Sequence, residues 1–377
     1  MNDYERIKKV SSLKNKSVEL VRFCALMIVL VYHAWVLCGS TPISNTIVNI
    51  FVILGGEIGV TAFFVLSGFG IYYSINRMEK RNEINAKEFF LKRAKRIVPH
   101  YYLSIIVVLL IGNGGVYLSK NGIGSIVTHL LFLHNLFPQY HGTINGVLWT
   151  MGVIVQFYIL AIPLYKVLKK FPKMFVLLSI VFTVCTKWYI YSIWIPSHEY
   201  ASGWSFVLGR QIYSALDNFT VGMFVAFLSE KYRNKIRNYK ILNVFGLILG
   251  IVGIYFVCRL GVRFGIHTNN FSGYVWHSVL AVMISWGVFC IAHVNFGDTV
   301  LLRPFIYIAE CEYGIYLWYL VIFYNLLNTE WVQILLNNGM KKVVYVLFIG
   351  IAVLFGIIFS ELMKGLPKRQ LKNVTKE

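Results

Sequence analysis

The stretch 18-VELVRFCALMIVLVYHAW-35 decides how this chain has to be read. It is apolar over the length of a helix that crosses a bilayer. Yet it carries Glu19, Arg22 and His33, side chains that are expensive in hydrocarbon unless they face a cavity or partners. Arg22 and His33 are eleven residues apart, three helical turns plus about 20°, so both point the same way about 16 Å apart along the axis. Glu19 lies three residues before Arg22 and can pair with it. The helix therefore has a polar stripe, and that stripe must look inward.

The remaining sequence puts the helix in a membrane. With 57% hydrophobic and 14% charged residues among 377, the composition excludes a soluble two-domain protein and indicates an all-α, polytopic integral membrane protein. No short cleavable signal precedes the first apolar run, which is therefore expected to stay as a retained transmembrane helix. Apolar segments of spanning length fall near 17–39, 51–75, 97–112, 145–165, 174–195, 204–229, 241–262, 273–294, 303–327 and 342–364. Ten spans place both termini on one side. Of the 36 Lys and Arg residues, 28 lie in the tails and connections on that shared face, so both termini are expected to be cytoplasmic, in a cell membrane. The same count explains the net charge of +20 without nucleic acid. No linker or second polar domain interrupts the chain, so residues 1–377 are expected to form one membrane domain with tails 1–16 and 365–377. The connection 113–144 holds 126-IVTHLLFLHNLFP-138, too short to span and suited to a re-entrant or interfacial helix.

Six cysteines (24, 38, 185, 258, 290 and 311) lie in or beside apolar segments. They show neither a paired framework nor metal-ligand spacing, and read as small core residues. His129, His134 and His141 have no nearby carboxylate or thiol to complete a metal site. No metal is expected. Arg210 and Asp217, seven residues apart in the sixth span, read as an ion pair or as a substrate-facing acid. His277, His293, Glu310 and Glu312 suit acceptor-site or packing roles equally.

Several motifs recur in a fixed order. Arg22 and His33 form R-x10-H; 63-FFVLSGF-69 follows; Arg93 and Arg96 form R-x-x-R within 89-FFLKRAKRIVPHYY-102; then come 147-VLWTMGVIVQFYILAIPLY-165 and 313-YGIYLWY-319. Together they resemble the membrane-bound acyltransferase 3 family, whose members transfer acyl groups, commonly acetyl, to sugars and other envelope acceptors. The resemblance runs from residue 19 to about 320. It departs from the family at two points: Ile154 stands where many members carry a Glu after the tryptophan matching Trp149, and Tyr319 stands in place of a late His. FFVLSGF by itself also reads as helix packing, since Ser67 and Gly68 allow close approach.

Acyl transfer from a thioester to a hydroxyl needs a proton acceptor and a group that steadies the developing oxyanion. The resemblance implies His33 for the first role, as base or as acyl carrier, together with Arg22, Trp149 and Gln156 in the catalytic set. Arg93 and Arg96, one turn apart, are expected to grip the phosphates of acetyl-CoA or another acyl-CoA. With His33 about 24 Å along the first helix from Ser17, a pantetheine arm in a polar channel passing Arg22 would join the two positions. The expected activity is O-acyl transfer to an envelope, exopolysaccharide or lipid-linked glycan, with membrane lipid as the surrounding partner. The chain ends soon after the tenth span, so transfer is expected to finish within the membrane part. A polysaccharide or lipid-linked sugar transporter, using the stripe as its pathway, is the alternative.

Overall fold

The computed structural model describes residues 16–81, 83–111, 119–236, 239–294 and 299–374. The side chains of 120, 199, 201, 202, 234, 235 and 364–374 are excepted. The described chain is helical, with no strand. Its elements are α1 (Lys16–Leu37), α2 (Thr46–Ile53), α3 (Gly55–Glu79), α4 (Ala86–Ile111), α5 (Lys120–Leu130), α6 (Trp149–Lys170) and α7 (Pro172–Tyr189). They continue with α8 (Ile212–Lys231), α9 (Lys240–Phe264), α10 (Phe271–Ala292), α11 (Arg303–Glu310), α12 (Glu312–Leu327), α13 (Glu330–Asn337) and α14 (Lys341–Val374). Among the described residues nine helices are long and apolar enough to cross a membrane, and α11 with α12 make a tenth, bent by 68°. Large apolar side chains such as Leu110, Val346 and Leu354 project from the outside of the bundle, where only lipid would make their exposure favourable.

The ten expected spans are all present, but their ends differ. The third begins at Ala86 and not near 97, so Arg93 and Arg96 sit inside α4 and Pro99 is an interior residue. The second begins at Gly55 after the separate short helix α2. The segment expected as a tail from 365 continues as helix to Val374, while residues 1–15 of the other expected tail lie outside the described residues. The semi-apolar stretch 126–138 is helical only in part: the eleven-residue α5 ends at Leu130, and a single 3-10 turn follows at His134–Leu136. Cys38, Cys258, Cys290 and Cys311 are buried as expected, whereas Cys24 and Cys185 face outward.

Helix α3 is the hub. Lipid offers no hydrophobic drive between helices, so close packing depends on small residues at the crossings. A Cβ at Gly56 would stand 2.8 Å from the Tyr32 ring and one at Gly59 2.3 Å from Val29, which draws α3 onto α1. On its other side the contact is reciprocal: a Cβ at Gly68 would meet the Phe219 carbonyl oxygen at 2.0 Å, and one at Gly222 the Val65 carbonyl oxygen at 2.1 Å. Ser67 is not part of that seam. The bundle therefore has a basic end, where α3 finishes and α4 starts, and a far end, where α1 finishes and α3 starts. At the basic end Glu230 accepts from Tyr72 and Asn76 at 2.7 Å each, and Tyr165 donates to Glu79 at 2.7 Å. These bonds lock α3, α6 and α8 together.

Replacing Gly222 by Leu forces the Val65 backbone away and should cost about 1–3 kcal/mol or more. It should lower the melting temperature of the detergent-solubilised protein. Gly350, with nothing within 4 Å of its Cβ position, should accept the same change without effect.

Candidate active site

A cavity of about 320 Å³ opens at the basic end, lined from α1, α3, α4, α6 and α12. Arg77, Lys92, Arg93 and Arg96 surround its mouth. The Arg93 guanidinium lies over the Phe89 ring at 3.9 Å, and its Nε is buried without a hydrogen-bond partner. Deeper in, Arg22 donates to Glu312 at 2.7 Å, while Glu19 is a more distant partner at 3.7 Å. The bend between α11 and α12 delivers Glu312 to that position, at the first residue after the break. Its Oε2 is buried and has no hydrogen-bond partner. Ile154, at the position where the family Glu was expected, lines the same cavity. The carboxylate that lines this cavity is that of Glu312.

The cavity does not reach His33. It ends at Val60, Phe63, Phe64, Thr150 and Tyr316, where Phe63 meets Tyr316 edge-on at 5.6 Å and the Thr150 hydroxyl donates to that of Tyr316 at 3.3 Å. Val60 lies four residues, about 6 Å of helix rise, from Gly56, which abuts the turn carrying Tyr32 and His33. One aromatic layer thus separates the cavity from the imidazole. Tyr316 belongs to both sides of it, since its ring also touches that of Tyr319 at 5.7 Å.

His33 is half-buried. Its Nδ1 faces the Val29 carbonyl oxygen at 3.0 Å and the Tyr319 hydroxyl at 3.1 Å. A carbonyl can only accept, so the neutral ring carries its proton on Nδ1 and leaves Nε2 as the free base. The departure from the family at Tyr319 therefore puts a phenol in direct contact with the candidate base.

Beyond His33, at the far end, Glu57 collects three partners. Arg210 pairs with its Oε1, His267 Nε2 lies 3.1 Å from Oε1, and His277 Nε2 lies 3.1 Å from Oε2. The ligand-type atoms of Glu57, His267 and His277 lie within 4.8 Å of one another, close enough to share a metal ion. Arg210 on the same carboxylate opposes a divalent cation there. Burial holds His267 below its ordinary range despite the adjacent carboxylate. The Arg210 guanidinium stacks on Phe206 at 3.4 Å and faces Trp149 at 5.0 Å. His141 stacks on Trp149 at 5.3 Å, and burial together with the Arg210 charge keeps it neutral, at about 4.

Residues 15–362 match the family described as an acyltransferase domain. The chain belongs to the acyltransferase 3 family. It is similar to the peptidoglycan O-acetyltransferase OatA of Listeria monocytogenes, 23% identical over 80% of this chain and 48% of the relative. A putative O-acetyltransferase of Staphylococcus aureus is 23% identical over 82% of this chain and 51% of the relative. A putative acetyltransferase of Acidianus two-tailed virus is 23% identical over 84% and 86%. The chain spans about half the length of the first two. No solved structure matches it. Membership in an acyltransferase family favours the enzyme reading over the transporter, and the chain is a multi-pass membrane protein.

Against the acyltransferase 3 expectations, the residues divide. Arg22, Arg93 and Arg96 share one cavity. His33 and Trp149 lie past its closed end. Gln156 points elsewhere, exchanging hydrogen bonds with the Asn135 side chain at 2.9 and 3.3 Å, and so anchors the 131–141 segment on α6. The expected Arg210–Asp217 pair does not form, because α8 starts at Ile212 and Arg210 precedes it. Asp217 is buried, and its backbone N–H donates to the Thr183 hydroxyl of α7 at 3.3 Å. His129 and His134 stack at 3.8 Å and are held neutral by burial, at about 4 and about 3. His293 bonds the Phe289 carbonyl oxygen at 2.7 Å. Sequence reasoning missed Glu57 and His267, and it left Glu312 between an acceptor-site and a packing role. The pairing of each depends on another helix.

Tyr319→Phe removes one hydrogen bond from His33 and keeps the packing. Acyl-transfer turnover should fall roughly three- to tenfold, measured as acylated product formed.

Proposed function

We propose that this chain moves an acetyl group from acetyl-CoA, or the acyl group of another acyl-CoA, to a hydroxyl of an envelope, exopolysaccharide or lipid-linked glycan. The observation that carries the reading is the cavity with four cations at its mouth and the Arg22–Glu312 pair inside. A coenzyme A thioester is anionic at one end and neutral along its pantetheine arm. Arg93, Arg96, Lys92 and Arg77 suit the phosphates, and the mixed walls deeper in suit the arm. The basic end is the cytoplasmic one by its Lys and Arg content, the side on which acyl-CoA is found. The names of the relatives support an O-acetyl product, and that of the Listeria relative supports a glycan acceptor.

In this reading the aromatic layer at Phe63 and Tyr316 opens to admit the thioester to the His33 side. The acceptor oxygen forms a bond to the acyl carbon, the carbonyl electron pair moves onto its oxygen, and His33 Nε2 takes the hydroxyl proton. Collapse breaks the carbon–sulfur bond, and the departing thiolate takes the proton back from the imidazolium. Val29 and Tyr319 hold the ring so that only Nε2 faces the reaction.

Arg93→Ala with Arg96→Ala should raise the KM for acetyl-CoA about 100-fold or more, from two charge-assisted contacts of about 1.5–3 kcal/mol each. Turnover at saturating donor should change less than threefold. An unchanged KM contradicts the donor grip.

A further inference from the structure

We infer that Arg210, fixed by Glu57, is the cation that steadies the oxyanion of the acyl-transfer step. This inference rests on the reading of His33 as the base.

An oxyanion site needs donors that are held in place beforehand and unspent in the free enzyme. Arg210 meets both conditions. Its backbone lies in the break between the turn at Ser205–Leu208 and α8, and that break is pinned on both sides. A Cβ at Gly209 would stand 2.0 Å from the Tyr191 hydroxyl, so the chain passes tightly there. Gln211 donates to the Val207 carbonyl oxygen at 3.1 Å and accepts from Asn135 at 2.9 Å. The side chain is 13% exposed and sandwiched between Phe206 and Trp149. Of its five N–H donors, one nitrogen is engaged by Glu57, and Nε is buried with no partner.

The guanidinium is also in the right neighbourhood. Glu57 follows Gly55 and Gly56, the residues whose missing side chains let α3 touch Tyr32 on the turn that carries His33. Arg210 faces Trp149 at 5.0 Å, and the next residue on α6, Thr150, bonds Tyr316, whose ring meets that of Tyr319 beside His33. When the acceptor oxygen attacks, the negative charge appears on the former carbonyl oxygen, and an Arg210 N–H aimed at that oxygen meets it. Glu57 is a positioning residue. Its two imidazole neighbours, each with Nε2 at 3.1 Å from it, hold the carboxylate so that it fixes the guanidinium. Sequence spacing gave Arg210 a different partner, and no motif marks it.

The test uses the full chain in nanodiscs with acetyl-CoA as donor, following thiol release with water or an N-acetylhexosamine oligosaccharide as acceptor. Arg210→Lys keeps a charge and the apolar stem but loses the forked donors. Its turnover should fall about 100-fold with donor KM within about twofold of wild type. Glu57→Gln should fall about tenfold. Added guanidinium ion should restore part of the turnover of Arg210→Ala and none of that of His33→Ala. Wild-type turnover in Arg210→Lys, or a loss that appears entirely in donor KM, overturns the assignment. So does zinc that copurifies with the protein and is lost together with activity in His267→Ala, because the cluster would then be a metal site. Full turnover in His33→Gln overturns the base instead, and is read separately from the Arg210 result.

Discussion

The seam between α3 and its neighbours α1 and α8 sets the positions of everything else. Between helices in lipid the gain comes from close backbone approach. Here glycines on α3 face Val29 and Tyr32 on one side and the Phe219 backbone on the other. With α3 clamped in the middle, its first turn must lie beside the end of α1, which brings Glu57 next to Tyr32 and His33. Lower down, Ser67, Gly70 and Ser74 leave room against Arg22, and the cavity occupies that room.

The same geometry sorts the buried charges. Charges in hydrocarbon persist when paired or when they line a polar space. At the basic end the Arg22–Glu312 pair sits inside a cavity whose mouth is cationic. At the far end Arg210 pairs with Glu57, against which His267 and His277 also lie. Between them lies the layer of Phe63, Tyr316 and Thr150, which keeps the two polar regions apart in this conformation. Such a layer suits group transfer, where only a thin acyl-bearing arm has to pass, better than passage of a whole sugar.

Much of this was legible in the sequence, and the limits have a physical reason. Helical repeat correctly put Arg22 and His33 on one inward stripe, because both lie on a single unbroken helix. The identical argument failed for Arg210 and Asp217, because Gly209 to Gln211 interrupt the helix and cancel the register. Glu19 looked like the natural partner of Arg22 because it is near in sequence. Glu312, from α12, takes the shorter contact through a bend that hydropathy does not register. Tyr319 was read as a lost histidine, and its hydroxyl against His33 appears only once α1 and α12 are side by side. Local periodicity fixes what one helix presents, whereas partners across helices depend on crossings set by single glycines.

Sidedness is the most direct test of a donor held at one end and a base near the other. Proteoliposomes sealed and oriented by protease accessibility can be given labelled acetyl-CoA on one face only. Product is expected when the donor bathes the face bearing Arg93 and Arg96, and not when it bathes the opposite face alone. Equal product from the opposite face would contradict a donor site in the basic cavity.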